Sequence, residues 1–206
     1  MSLNVLMVFP RFNENSFWSL RAACKIYGAQ CPTPPLGLLT LAALLPQDWT
    51  MRLVDRNVRT LKPADLAWAD VVMTGGMLPQ RVDALDVIRR CREAGKSVVV
   101  GGPDSTSCPD IYEAADFLVL GEAEGIVSEF VAAWNRGERT GRFRAEKFTA
   151  DVTRSPVPRF DLIDARDSAV GMGVPMTRAN QAAWFVAALI DDIETGAAGN
   201  WRMPWH

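Results

Sequence analysis

The chain has 206 residues, 49% of them hydrophobic and 22% charged, with a formal net charge of −2. That is enough apolar material for one domain with its own core, needing no disulfide or metal staples. The near-neutral balance excludes a basic footprint for nucleic acid, and the opening run "MSLNVLMVFP" has neither the basic flank of a signal peptide nor the length of a membrane span, so a cytoplasmic protein is expected.

Residues 4–10, "NVLMVFP", form a short continuous apolar run, as a strand buried on both faces requires. Residues 35–45, "PLGLLTLAALL", are apolar nearly all round and helical in composition. Residues 50–57 alternate and predict a strand, and residues 69–77, "ADVVMTGGM", predict another that ends in glycines. The clearest helix covers 79–95, with Val82, Leu85, Val87, Ile88 and Cys91 toward one face and Gly95 as its stop. A fourth strand follows at 97–102, a fifth at 116–122, and a helix at 125–137.

This alternation predicts an α/β fold: a doubly wound, five-stranded parallel sheet of flavodoxin-like order 2-1-3-4-5, with a C-terminal helical extension. The core domain is expected over residues 1–140, an extended proline-containing linker over 141–176, and a C-terminal helix with a Trp-rich tail over 177–206. The helix at 177–196 starts at Thr177, carries Trp184, Leu189 and Ile193, and stops at Gly196. It suits packing on its own domain, or binding a separate protein or a second copy.

Cys24, Cys31, Cys91 and Cys108 are spaced neither as a zinc pair nor as an iron–sulfur triplet. Thiols, mostly buried, are expected. The single histidine is His206, so no internal imidazole can serve as base, triad member or metal ligand.

Open parallel sheets bind ligands beyond the carboxyl ends of their strands. Here the first strand leads into Arg11, Phe12 and Asn13, and the second into Asn57. The third ends in Thr74, Gly75, Gly76 and Met77, the fourth in Gly101, Gly102, Pro103 and Asp104, and the fifth in Gly121 and Glu122. Glycine lacks a Cβ, so a ligand can lie against the main chain. One Gly-Gly pair also suits a tight turn; two on neighbouring strand ends open a slot. A valine at Gly102 is expected to block that slot and spare the fold. No G-x-G-x-x-G follows the first strand, no Walker lysine loop is present, and only Glu14 stands where a phosphoacceptor would need an acidic cluster. A bulky cofactor tail lying between sheet and helices remains. Glu122 and Glu124 suit loop-amide acceptors better than general bases.

The stretches "FPRFNENSFWSL" (9–20), "PPLGLLTLAALLPQDWTMRLVDRNV" (34–58), "LAWADVVMTGGMLPQR" (66–81), "GKSVVVGGPDSTSCPDIY" (95–112), "ADFLVLGEAEG" (115–125) and "RSPVPRFDLID" (154–164) carry a resemblance. The chain resembles the N-terminal cobalamin-binding domain of cobalamin-dependent radical S-adenosylmethionine enzymes, and among them the hopanoid C-2 methylases. The resemblance covers roughly residues 4–164. It implies that the nucleotide tail of cobalamin lies in the slot, flanked by Thr74 and Gly76, floored by Gly101, Gly102 and Pro103, and closed by Gly121 and Glu122. The corrin ring would sit near Arg11, Phe12, Asn13 and Asn57. The turn "RFNENS" has no D-x-H-x-x-G histidine, which implies cobalamin bound base-off, with no protein ligand to the cobalt. No cysteine follows Cys108, so the chain carries no C-x-x-x-C-x-x-C for an iron–sulfur cluster. The expectation is thus the cofactor-binding part of a methyltransferase without its catalytic domain. A stand-alone cobalamin-dependent sensor or partner-binding protein, and a flavodoxin-like scaffold that has lost its ligand, are the alternatives.

Overall fold

The computed structural model describes residues 2–146, 150–164 and 167. Its centre is a wholly parallel sheet of six strands in the order β2-β1-β3-β4-β5-β6. The strands are β1 (Asn4–Phe9), β2 (Thr50–Asp55), β3 (Val71–Gly75), β4 (Ser97–Gly101), β5 (Phe117–Leu120) and β6 (Gly141–Arg144). Between them lie α1 (Arg21–Tyr27), α2 (Leu36–Leu44), α3 (Pro63–Trp68), α4 (Arg81–Glu93), α5 (Pro103–Ser107) and α6 (Ala123–Asn135).

Successive strand residues point to opposite faces, and here both faces are covered. Val5 and Met7 of β1, with Val71, Met73, Val99, Phe117 and Val119, pack under α2 and α6. Leu6 and Val8, with Val72, Val98, Val100, Leu118 and Leu120, pack under α3 and α4. This explains the unbroken apolar runs. In α4 the buried residues are Ala84, Val87, Ile88 and Cys91, spaced i, i+3, i+4, i+7. Val82, expected on that face, is 80% exposed. It stands two residues before Ala84, about 200° round the helix. Gly95, at φ +66°, turns the chain out of α4 while the N–H of Lys96 closes on the carbonyl of Cys91 at 2.9 Å.

The expected order 2-1-3-4-5 holds, and the sheet goes one strand further. β6 lies in the stretch given to the linker, and its burial alternates weakly, with Arg142 and Arg144 exposed. Its crossover is unusual. α6 shares a face with α2, yet it carries the chain away from the sheet centre in the lateral direction opposite to the β1–α2–β2 unit. The β5–α6–β6 unit therefore has the opposite hand to the others, whereas nearly all such units share one hand. The stretch after β6 is also packed. Leu162 and Ile163 lie against the α2 face, and the N–H of Arg159 donates to the carbonyl of Leu39 at 3.0 Å. The expected helix at 177–196 lies outside the described residues.

Three short helices escaped the sequence reading: α1, α3 and α5. Each is too brief to show a period. α3 is set by its start, where Asp65 accepts from the N–H of Lys62 at 2.8 Å and Pro63 fixes the first turn. No helix among the described residues is long and apolar enough to cross a membrane.

The tightest approach in the sheet is between β3 and β4. A Cβ on Gly75 would stand 2.4 Å from the carbonyl oxygen of Gly101. Gly75→Ala is therefore expected to cost about 3 kcal/mol in a urea titration, since neither main chain can yield cheaply. Gly28→Ala, with open space around a φ of +66°, should cost only about 1 kcal/mol.

Candidate functional site

Because all six strands run the same way, their carboxyl ends form one edge, and the candidate ligand-binding residues lie at or just beyond those ends. The residues fall into two groups that one glutamine joins.

The first group is the turn after β1. The N–H of Phe12 donates to Asn57 Oδ1 at 2.9 Å. Asn57 Nδ2 donates to Asp55 Oδ1 at 2.7 Å and reaches the carbonyl of Pro10 at 3.4 Å. Asn57 thus clips β1 to β2. Phe12 is buried, edge-on to Phe9 with ring centroids 5.9 Å apart. The N–H of Arg11 donates to Asp83 Oδ2 at 2.7 Å, while its guanidinium stays 57% exposed. The side chain of Asn13 is exposed, and its N–H donates to the carbonyl of Pro79 at 2.9 Å.

The second group is the pair of glycine ends. Register places Gly75 opposite Gly101. Gly102 has φ +93°, and a Cβ there would stand 3.1 Å from the nitrogen of Gly76. Valine at Gly102 would therefore strain the fold, against the expectation that it would spare it. The N–H of Asp104 donates to the carbonyl of Gly76 at 3.1 Å, folding the start of α5 over β3. Part of the missing bulk is thus required for main chain to pass main chain. Even so, Gly75, Gly76, Met77, Gly101 and Gly102 all remain partly exposed, and Pro103 is exposed.

Like Phe12 and Asn57, two further candidate residues bond within the protein. Thr74 is buried, and its hydroxyl donates to the carbonyl of Val8 at 2.8 Å. Asp104 is 5% exposed and accepts from Arg81 Nε at 2.8 Å, from Arg81 Nη2 at 2.6 Å and from the Tyr112 hydroxyl at 2.5 Å. Its hydrogen-bonded Arg81 holds the carboxyl below the usual aspartate range despite burial. Burial, and then the Asp104 carboxylate, push the Tyr112 hydroxyl above the usual phenol range.

On the β5 side, Gly121 has φ +92° and donates its N–H to Thr106 Oγ1 at 2.9 Å. Glu122 accepts from the N–H of Ala150 at 3.4 Å, and Glu124 from the Ser155 hydroxyl at 2.6 Å, as loop acceptors.

Gln80 joins the groups. Only 1% exposed, it donates from Nε2 to the carbonyl of Pro10 at 2.6 Å, and its Oε1 accepts from the N–H of Met77 at 3.0 Å. A Cβ on Gly76 would stand 2.8 Å from that Oε1. Gln80, Arg81 and Tyr112 were missed in the sequence. None left a signal of its own: Gln80 accepts from the Met77 N–H as the third residue of a capping box does, but Met77 has no hydroxyl to announce one.

Beside β2 lies a cavity of about 90 Å³ lined by Cys31, Leu53, Asp55, Arg59 and Leu162, among others. Burial raises the Asp55 carboxyl there, against the hydrogen bonds from Asn57. All four cysteines remain thiols, and burial pushes Cys91 up to about 12. Among the described residues, no buried side-chain nitrogen or oxygen lacks a partner, and no three His, Cys, Asp or Glu side chains cluster to hold a metal. The edge can hold a ligand through exposed main chain and through Arg11 and Asn13.

Gln80→Leu is expected to cost about 2 kcal/mol in a urea titration, because it strands the Pro10 carbonyl and the Met77 N–H. Acid should expose the role of Asp104. Its folded pKa is lowered, so its contribution is full above the ordinary value of 3.8 and fades as pH falls through the folded value. Arg81→Met should therefore weaken the protein at neutral pH and remove this acid loss, read from urea midpoints across the acid range.

No family model matches the chain. The chain is 44% identical over 170 residues to an uncharacterized methyltransferase of Synechocystis sp., covering 81% of this chain and 31% of that protein. It is 34% identical over 175 residues to the hopanoid C-2 methylase of Rhodopseudomonas palustris, covering 82% of this chain and 33% of the methylase. An uncharacterized methyltransferase of Pyrococcus horikoshii is 26% identical over 173 residues, covering 70% of this chain and 38% of its own length. The chain is thus homologous to methyltransferases over most of its length, and spans about a third of the curated relatives it matches.

Proposed function

We propose that this chain is the cobalamin-binding part of a cytoplasmic methyltransferase of the radical S-adenosylmethionine type, holding the cofactor base-off, with the catalytic portion elsewhere. The observation that carries this reading is the partly exposed main chain at the centre of the carboxyl edge. There Gly75, Gly76, Gly101 and Gly102 lie side by side on neighbouring strands of a parallel sheet. The homology to methyltransferases, one of them a hopanoid C-2 methylase, supports it.

These residues fit such a group. When bound, cobalamin supplies a cobalt centre able to carry a methyl group. The glycines and Pro103 floor the nucleotide tail, with Met77 on one side and Gly121 and Glu122 on the other. The exposed Arg11 guanidinium and the Asn13 amide meet the polar rim of the corrin ring. Phe12, Asn57, Thr74 and Asp104, already bonded within the protein, hold the loops and strand ends in place. The only histidine is His206, remote in sequence from these strand ends, which fits a cofactor without an imidazole from the turn after β1.

The test is direct. Protein mixed with hydroxocobalamin should co-elute with red corrinoid on gel filtration and show a base-off absorbance that His206→Ala leaves unchanged. Pro103→Trp, at an exposed position, should weaken binding tenfold or more while the thermal midpoint stays within a few degrees. Absence of co-eluting corrinoid would overturn the reading.

A further inference from the structure

The chain after β6 returns to the sheet as a strap. The N–H of Arg159 donates to the carbonyl of Leu39 at 3.0 Å, and Leu162 and Ile163 lie against the α2 face. Further on, the carbonyl of Asp167 accepts from the N–H groups of Gln30 at 2.9 Å and Cys31 at 3.0 Å, and from the Cys31 thiol at 3.4 Å. Gln30 Nε2 donates to Asp167 Oδ1 at 2.7 Å. Leu162, Ile163 and Asp167 line the cavity beside β2, together with Cys31, Leu53 and Asp55. The other charged groups lining it are Asp164 and Arg59, whose guanidinium donates to the carbonyl of Leu53. A void leaves its lining short of contacts, so the strap can lift at lower cost than a fully packed edge.

One buried carboxyl meets both the anchor of this strap and the turn after β1. Asp55, 7% exposed, accepts at Oδ1 from the Asn57 main-chain N–H at 2.8 Å and from Asn57 Nδ2 at 2.7 Å. Asn57 in turn accepts from the N–H of Phe12 at 2.9 Å. Asp55 is also hydrogen-bonded to the Cys31 thiol, which therefore lies between Asp55 and the Asp167 carbonyl. The contacts run without a break from Asp167 through Cys31, Asp55 and Asn57 to Phe12, joining stretches of chain far apart in sequence.

We propose that Asp55 is a positioning residue that fastens the strap and the turn after β1 to one another. The seated strap holds Cys31 against Asp55, Asp55 holds the Asn57 amide, and that amide holds the turn bearing Arg11, Phe12 and Asn13. A buried polar group that loses one partner passes the cost to the next, and this links the two ends. The link is reciprocal, so loosening the turn must loosen the strap. It belongs to the protein alone and holds with or without a corrinoid.

Alkylation of Cys31 by iodoacetamide, located by mass spectrometry in the full chain, reads the strap, because Cys31 is 2% exposed and reacts when the strap lifts. Rates are referred to those of the denatured chain. In the parent, Cys31 should react at least tenfold faster than Cys91, which is fully buried between α4 and the sheet. Asn57→Ala removes a side chain whose bonds go to Phe12, Pro10 and Asp55, and it should speed Cys31 at least fivefold. Asp55→Asn keeps an acceptor for Asn57 and a polar group for the thiol, and should stay within twofold of the parent. Asp55→Leu keeps only the bulk, and should speed Cys31 as Asn57→Ala does. Equal labelling of Cys31 and Cys91 in the parent would overturn the proposal, since the strap would not lift on its own. So would an unchanged Cys31 rate in Asn57→Ala, or equal rates in Asp55→Asn and Asp55→Leu.

Discussion

The structure depends on main chain meeting main chain at the tips of β3 and β4. Backbone at this junction lies so close that no side chain can stand between Gly75 and Gly101, or between Gly102 and Gly76. That approach lets the start of α5 fold over β3, and it brings Asp104 down to Arg81 at the start of α4. From α4 the same chain of contacts runs through Gln80 to the turn after β1, and through Asp83 to Arg11. The carboxyl edge from β1 to β4 is thus one connected framework, with Gln80, Thr74 and Asp104 turned inward and its centre left bare.

This arrangement gives a double meaning to the glycines. A residue without a Cβ can serve the fold, a ligand, or both. The inner sides of these glycines serve the fold. Their outer sides stay partly accessible, which is the room the proposed cofactor tail would use. The proposed role and the structural one would use opposite sides of the same main chain.

Much of the sheet could be read from the sequence because strands buried on both faces must be apolar at every position, as in Val71–Met73 and Val98–Val100. The alternation with helices made the sheet parallel, and the flavodoxin-like order chosen for it is the one the first five strands adopt. β6 escaped because an edge strand is buried on one side only, and "GRFR" shows no apolar run. The candidate site was legible in its bare positions and illegible in its supports. Gly101 and Gly102 announce themselves by composition, whereas Arg81, Tyr112 and Asp104 come together only through the fold. Thr74, which the resemblance places beside the tail, also has a structural task that its sequence does not announce: its hydroxyl ties β3 to β1. Val82 shows the limit of reading a helix face from composition, since a single apolar residue out of phase is invisible without the stripe it departs from.

The sixth strand has a consequence for how the molecule behaves among its neighbours. An outermost strand offers unsatisfied amides and carbonyls as a template on which another sheet could grow. Here that margin is only four residues long, and its outward positions are Arg142 and Arg144. Two like cations would meet two more if a second molecule tried to extend the sheet there, so strand addition is disfavoured at the β6 margin.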